Sequence, residues 1–289
     1  MTQRESSAHQ HSACANCEAP LSGRYCAKCG QDSHGQLTVR HFFEEVVEGL
    51  LHFDSTFWRT LRPLLFRPGL MTEQYLAGRR KYYAPPFRMY LVISVVYFLL
   101  SSVFAPDVVI QRLNGTEFGP QTCEILAQQL QWLSGFYADI EASCIRAQTD
   151  DGRVLEHAIV GLFPRVMFVV LPLVALVQYW IHRRRRPLYV ENLVFVLHFQ
   201  SFYYLVGALI FVLAGGVSAV LGANAFDISS WLSAALLVWS AVYLFLAIRR
   251  VYGCGVVKTL FNLLAMTLAY SAFWAVGVSL TTILVILRS

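Results

Sequence analysis

Four cysteines near the start of the chain carry the clearest chemistry in the sequence. Cys14, Cys17, Cys26 and Cys29 stand in CANCEAPLSGRYCAKCGQ with the spacing C-x2-C-x8-C-x2-C. Each C-x2-C pair offers two thiolates from one tight turn, and two such turns make the tetrahedral sulfur set that Zn2+ takes at about 2.3 Å. Gly30, directly after the second pair, lets that turn close with backbone N–H groups facing the sulfurs. Four protein ligands leave no open position for a substrate, so this spacing predicts a structural site rather than a catalytic one. An iron–sulfur cluster and a redox dithiol use the same residue type and stay as alternatives; the compact, ribbon-like spacing favours Zn2+. Neither pair is followed by His, which excludes c-type haem attachment. His9 and His11 lie in a polar terminus, where histidines are most often solvated.

Other candidates are sparser. Cys123 and Cys144 are 21 positions apart in a loop expected outside the cytoplasm, where a disulfide would staple the loop by about 3 kcal/mol. Two free, half-buried thiols are the alternative. Arg165 and His198 fall inside apolar runs, and an ionisable residue at such a position is a functional-site candidate by default. The competing reading is that Arg165 snorkels outward and His198 makes one interhelical hydrogen bond. That reading is favoured, because no carboxylate lies within the spans to complete a relay or an ion site. Cys254 stands alone and is expected to be inert. His52, Asp54 and Ser55 sit together in HFDST, but a Ser beside an Asp at a helix start is a capping signal. No G-x-S-x-G, H-E-x-x-H or phosphate-loop pattern occurs, so no catalytic residue is assigned and no enzyme is expected.

The elements that must hold these residues are set by composition. Of 289 residues 56% are hydrophobic and 14% charged, against about 25% charged in a soluble domain, and mean hydropathy is +0.50. The apolar residues cluster into five runs, at 88–105, about 158–181 (interrupted by Pro164 and Pro172), 193–221, 231–248 and 260–287. Each can cross a hydrocarbon core about 30 Å thick, the first only barely. The polar opening MTQRESSAHQHSA has no apolar signal core, so a later segment is expected to drive insertion. The expected fold class is an all-α polytopic membrane protein of about five transmembrane helices with a small N-terminal zinc ribbon and juxtamembrane amphipathic helices. Residues 1–12 are expected to be a disordered terminus, 13–34 the ribbon, 35–87 the juxtamembrane helices and 88–289 the membrane domain, with an outer loop at 106–157.

Charge sets orientation. Arg79, Arg80, Lys81 and Arg88 precede the first run, Arg183 to Arg186 follow the second, and Arg249, Arg250 and Lys258 follow the fourth. The alternate loops are poor in basic residues: 107–157 has three against eight acidic ones, and 222–230 has none. Each loop agrees with a cytoplasmic N-terminus and an extracytoplasmic C-terminus. A cytoplasmic head keeps its thiols reduced, which favours a metal over disulfides. Residues 1–36 hold three basic and three acidic residues, too balanced for a nucleic-acid footprint.

Residues 35–87 have their own organisation. Thr38 caps a helix with Phe42, Phe43, Val46, Val47, Leu50 and Leu51 on one face and Glu44, Glu45 and Glu48 on the other. HFDSTFWRTLRPLLFRPG reads as a second helix turned by Pro68-Gly69, and GLMTEQYLAGRRKYYAPP as a third, ending near Gly78. Whether these helices pack on lipid or roof the bundle stays open, since amphipathic periodicity is the same for both.

In order, C-x-N-C-x7-YCxxCGQ, LTxRxFxxE, HFDSTFWRTLRPLLFRPG and EQYLAGRRKYYAPPFRMYLxIS lead into the membrane domain. This order resembles the bacterial "domain of unknown function 3667" membrane family, over about residues 14–100. The resemblance implies a zinc-ribbon-headed membrane protein with metal ligands at Cys14, Cys17, Cys26 and Cys29, and it implies no reaction. The expected role is therefore a non-enzymatic interaction or scaffold protein of the bacterial inner membrane, touching membrane lipid and an unidentified cytoplasmic protein partner. A transporter or lipid-handling protein is the alternative, suggested by the Pro-interrupted second run, the Gly-rich AGGVSAVLGA, and Arg165 with His198.

Overall fold

The computed structural model describes residues 13–33, 55–104, 153–221 and 225–286. Seven helices fill the described chain beyond the head: α1 (Ser55–Phe66), α2 (Leu70–Leu76), α3 (Pro86–Phe104), α4 (Arg153–His182), α5 (Tyr189–Leu221), α6 (Ala225–Tyr252) and α7 (Val256–Ile286). The five long helices coincide with the five apolar runs, each starting two to six residues earlier. Pro164 and Pro172, expected to interrupt the second run, lie within the continuous α4. Pro172 removes one backbone donor, and the Tyr189 hydroxyl donates to the Pro172 carbonyl at 3.0 Å.

Three stretches are long and apolar enough to cross a membrane: Tyr189–Ala214 of α5, Trp231–Tyr252 of α6 and Val256–Gly277 of α7. The apolar stretches Pro86–Ser101 of α3 and Val166–His182 of α4 are shorter among the described residues. Burial ranks the helices: 72% of the α5 window is buried, 33% of the α6 window and 12% of the α7 window. α5 is the hub, packed by α3, α4 and α6, while α7 leans on α4 and α6.

The contacts follow the side chains. Gly207 of α5 leaves room for the Tyr97 ring of α3, which a Cβ there would meet at 2.7 Å. That ring stacks on Tyr204 with centroids 4.7 Å apart. Phe202 of α5 stacks on Tyr243 of α6 at 3.6 Å. Between α4 and α7 the amides of Gln178 and Asn262, both fully buried, exchange hydrogen bonds of 3.0 and 3.2 Å. Such a pair satisfies both polar groups where no water competes.

The arginines that signal orientation also cap a helix. Arg185 donates to the carbonyls of Tyr252, at 2.6 Å, and Gly253, and Arg186 donates to that of Val251 at 3.2 Å. These are the orphan acceptors of the α6 C-terminus, where cations also complement the helix dipole. Tyr252 donates to Asn192 at 2.9 Å and stacks on His182 at 3.8 Å, tying the ends of α4, α5 and α6 together. Cys254 lies buried against His182 Nε2 at 3.7 Å, so it is part of this knot rather than isolated.

α1 and α2 form a hairpin set into the side of the bundle. Phe57, Thr60 and Leu64 of α1 and Leu70, Met71, Thr72 and Tyr75 of α2 are buried. The Tyr243 hydroxyl donates to the Leu64 carbonyl at 2.7 Å, and Arg250 pairs with Glu73 at 2.7 Å. At the turn Gly69 adopts φ 74°, and a Cβ there would lie 3.0 Å from the Ala247 backbone. Both facts require glycine. Gly69→Ala should lower the unfolding midpoint of the detergent-solubilised protein, by about 1–3 kcal/mol in stability. Gly216→Ala, where nothing lies within 4 Å, should leave the midpoint near wild type.

Candidate metal centre

The head is two copies of one turn, offset by 12 residues. Cys14 N–H donates to the Ala19 carbonyl and Cys26 N–H to that of Gln31, while Glu18 N–H and Gly30 N–H return to Cys14 and Cys26. The bridges Ala13↔Pro20 and Tyr25↔Asp32 repeat the offset. Gly30, predicted to need conformational freedom, has φ 69°; its counterpart Glu18 takes φ 61° without being glycine. A left-handed conformation costs a residue with a Cβ about 1–2 kcal/mol.

The two turns bring the four predicted ligands together. All four Sγ atoms lie within 4.8 Å of one another, with Cys14–Cys29 at 3.6 Å and Cys17–Cys26 at 3.5 Å. Tetrahedral thiolates about 2.3 Å from a metal stand about 3.8 Å apart, so the set fits a single ion. The cysteines are unbridged. Cys14 and Cys26, first in each pair, are buried, and Cys17 and Cys29 are half-buried. The Cys26 thiol is held down at about 6 by backbone N–H groups of Cys29 and then Lys28. Cys17 is pushed up to about 12: the Ala19 N–H draws it down, but lost water contact and the sulfurs of Cys26, Cys29 and Cys14 outweigh that. Four sulfurs this close cannot all ionise without a cation to share the charge.

The head is seated on the segment between α2 and α3. Gln31 Nε2 donates to the Gly78 carbonyl at 2.7 Å, and Arg80 N–H donates back to Gln31 Oε1 at 3.3 Å. Tyr82 N–H donates to Asn16 Oδ1 at 3.1 Å. One amide from each turn thus grips residues 78–82. Gly78, at φ 86°, allows the close approach, since a Cβ there would meet that of Ala15 at 3.0 Å. Arg79 reaches Glu18 at 3.7 Å, an exposed contact that adds little. The seat is fastened in turn by Ala84 N–H, which donates to Thr60 Oγ1 of α1 at 3.0 Å.

Of the remaining sequence candidates, only His198 is described with its side chain, and it lies away from the cysteines. His198 is buried in α5, where its Nδ1 lies 3.0 Å from Thr72 Oγ1 of α2. Its Nε2 has no protein partner, and His198 lines a cavity of about 10 Å3 with Met71, Phe195, Phe199, Tyr243 and Ala247, room for about one water. The backbone of Arg165 lies in α4; its side chain falls outside the described residues, as do Cys123, Cys144, residues 1–12 and the helix expected after Thr38. Asn16, Gln31, Glu18 and Thr72 were not singled out from sequence. Asn16 and Gln31 do stand inside the C-x-N-C and CGQ motifs, and a non-cysteine side chain embedded in a ligand motif is the signal that marks them.

Fold and site together define a helical protein with apolar, membrane-length helices and a four-cysteine head fitted for a metal ion. Residues 54–98, spanning the hairpin, the head's seat and most of α3, match the family model described as "Protein of unknown function (DUF3667)", which supports membership of that family. No curated protein and no solved structure matches the chain.

Thiolates bind metal only when deprotonated, so apparent affinity should fall as pH falls. The decline should steepen below about 6, where Cys26 also takes up a proton. Metal-chelator competition across pH checks this. In the same assay Glu18→Gly should hold metal more tightly, by about 0.5–1 kcal/mol, and Gly30→Ala more weakly.

Proposed function

We propose that the protein is a non-enzymatic scaffold of the bacterial inner membrane that presents a structural Zn2+ head to a cytoplasmic protein partner. In this reading all five long helices cross the membrane, with the N-terminus inside. The observation that carries the proposal is the double amide grip of Asn16 and Gln31 on residues 78–82. A head held at both turns is fixed relative to the helices below, and a rigid surface binds a partner with little ordering cost. Four thiolates around a divalent ion carry a net charge of −2, and the seat supplies Arg79, Arg80 and Lys81. The outward surface includes Tyr25, 60% exposed, with the Arg24 guanidinium 5.4 Å above its ring. Exposed Tyr and Arg are enriched among residues that dominate protein interfaces. The transporter reading has less support: the space beside His198 suits one water rather than a solute.

Metal analysis of the purified protein should find one zinc per chain; iron or no metal would sink the structural-zinc assignment. Cys26→Ser should lose the metal and the co-purifying partner while remaining in the membrane fraction. Asn16→Ala with Gln31→Ala should keep the zinc yet weaken partner recovery. Identical pull-downs from native membranes for all three proteins would refute the scaffold role.

A further inference from the structure

The hairpin has an outer face that the bundle leaves uncovered. Along α1, Trp58, Arg62 and Phe66 stand four residues apart, one stripe of the helix. Trp58 is 70% exposed and Phe66 72% exposed, while Phe57, Thr60 and Leu64 on the other side are buried. α1 contains no acidic residue; Arg59 stands next to the stripe and Arg67 directly follows the helix, so three exposed arginines flank the two aromatics. A large exposed aromatic at each end of a basic stripe is poorly suited to water alone.

Position supplies the second observation. Gly69, at the hairpin turn, lies against Ala247, five residues before Tyr252 at the end of α6. At 1.5 Å per residue the turn sits about 7.5 Å below that end, within the depth range at which interfacial helices insert. The same end of the bundle carries other arginine–aromatic pairs. Arg183 lies 5.2 Å over the ring of Trp180, itself 60% exposed, and Arg249 lies 5.9 Å over Phe245. Arg59 lies 5.1 Å over Tyr82. Tryptophan and tyrosine collect at headgroup depth, and arginine there meets phosphate.

We propose that the outer face of α1 is a binding surface for anionic phospholipid, with Trp58 and Phe66 among the upper acyl chains and Arg59, Arg62 and Arg67 on the headgroup phosphates. The head would then be held at a set height by a hairpin that is gripped by protein on one side and by lipid on the other. This inference rests on the membrane placement proposed above, and the test separates the two.

The full-length protein is reconstituted in phosphatidylcholine vesicles with and without phosphatidylglycerol, using acyl chains brominated near the headgroup or near the centre. Trp58 and Trp239 signals are taken as differences from Trp58→Phe and Trp239→Phe. Trp239, exposed midway along α6, should be quenched by the deep bromines and Trp58 by the shallow ones. Spin-labelled phosphatidylglycerol should be preferred over spin-labelled phosphatidylcholine. Replacing Arg59, Arg62 and Arg67 together by Gln should reduce that preference by up to about fivefold per arginine, and salt should reduce it in wild type. The triple Lys variant should retain it, which separates lost charge from lost fold. If Trp239 is quenched but Trp58 responds only to aqueous iodide, the face points to the cytosol and the proposal fails. Trp58 shielded from both quenchers means that protein covers the face, and the proposal fails equally. If Trp239 is also unquenched, the membrane placement falls with it. An unchanged lipid preference in the triple Gln variant overturns the role of the arginines.

Discussion

The close approach of Gly69 to the Ala247 backbone is the constraint on which the rest of the structure hangs. Only a residue without a side chain lets the hairpin turn lie directly on α6. From that contact the Glu73–Arg250 pair, the Tyr243–Leu64 hydrogen bond and the Thr72–His198 contact all follow in register. α2 leaves the turn toward residues 78–82, where the four-cysteine head is seated. One glycine thus sets the position of the head relative to α6, whose Ala247 lies 178 residues further along the chain.

Much of this was legible from residue types. The apolar runs located all five long helices, because hydrophobic length survives any packing arrangement. Pro68-Gly69 marked the hairpin turn, and the C-x2-C pairs marked the four-cysteine cluster. Packing partners were not legible. The one interhelical hydrogen bond expected of His198 is present, but sequence could not name its mate, because Thr72 lies 126 positions away in a juxtamembrane helix. Pro164 and Pro172 suggested a broken helix, yet both lie within the unbroken α4, where a proline removes a backbone donor without ending the helix. Cys254 read as isolated because only the fold brings the end of α4, with His182, beside it.

The arginine clusters carry more than the sequence reading gave them. Sequence reads Arg185 and Arg186 only as charge, an expected signal of orientation. In the fold they also terminate α6, satisfying carbonyls that the helix itself leaves without a donor. A substitution there therefore disturbs packing as well as charge, in contrast to Arg24 or Lys28 on the head.

Among the described residues the head is attached chiefly through two side-chain amides, one from each half of a repeated turn. In the language of multivalency it is a bivalent ligand for its own chain, with the spacing between its two arms set by the sulfur core. Each amide alone contributes about 1 kcal/mol, too little to hold a domain. Together they hold because the arms cannot move independently. Any event that lets the two turns part therefore releases the head in a single step, while leaving every contact of the helices beneath it in place.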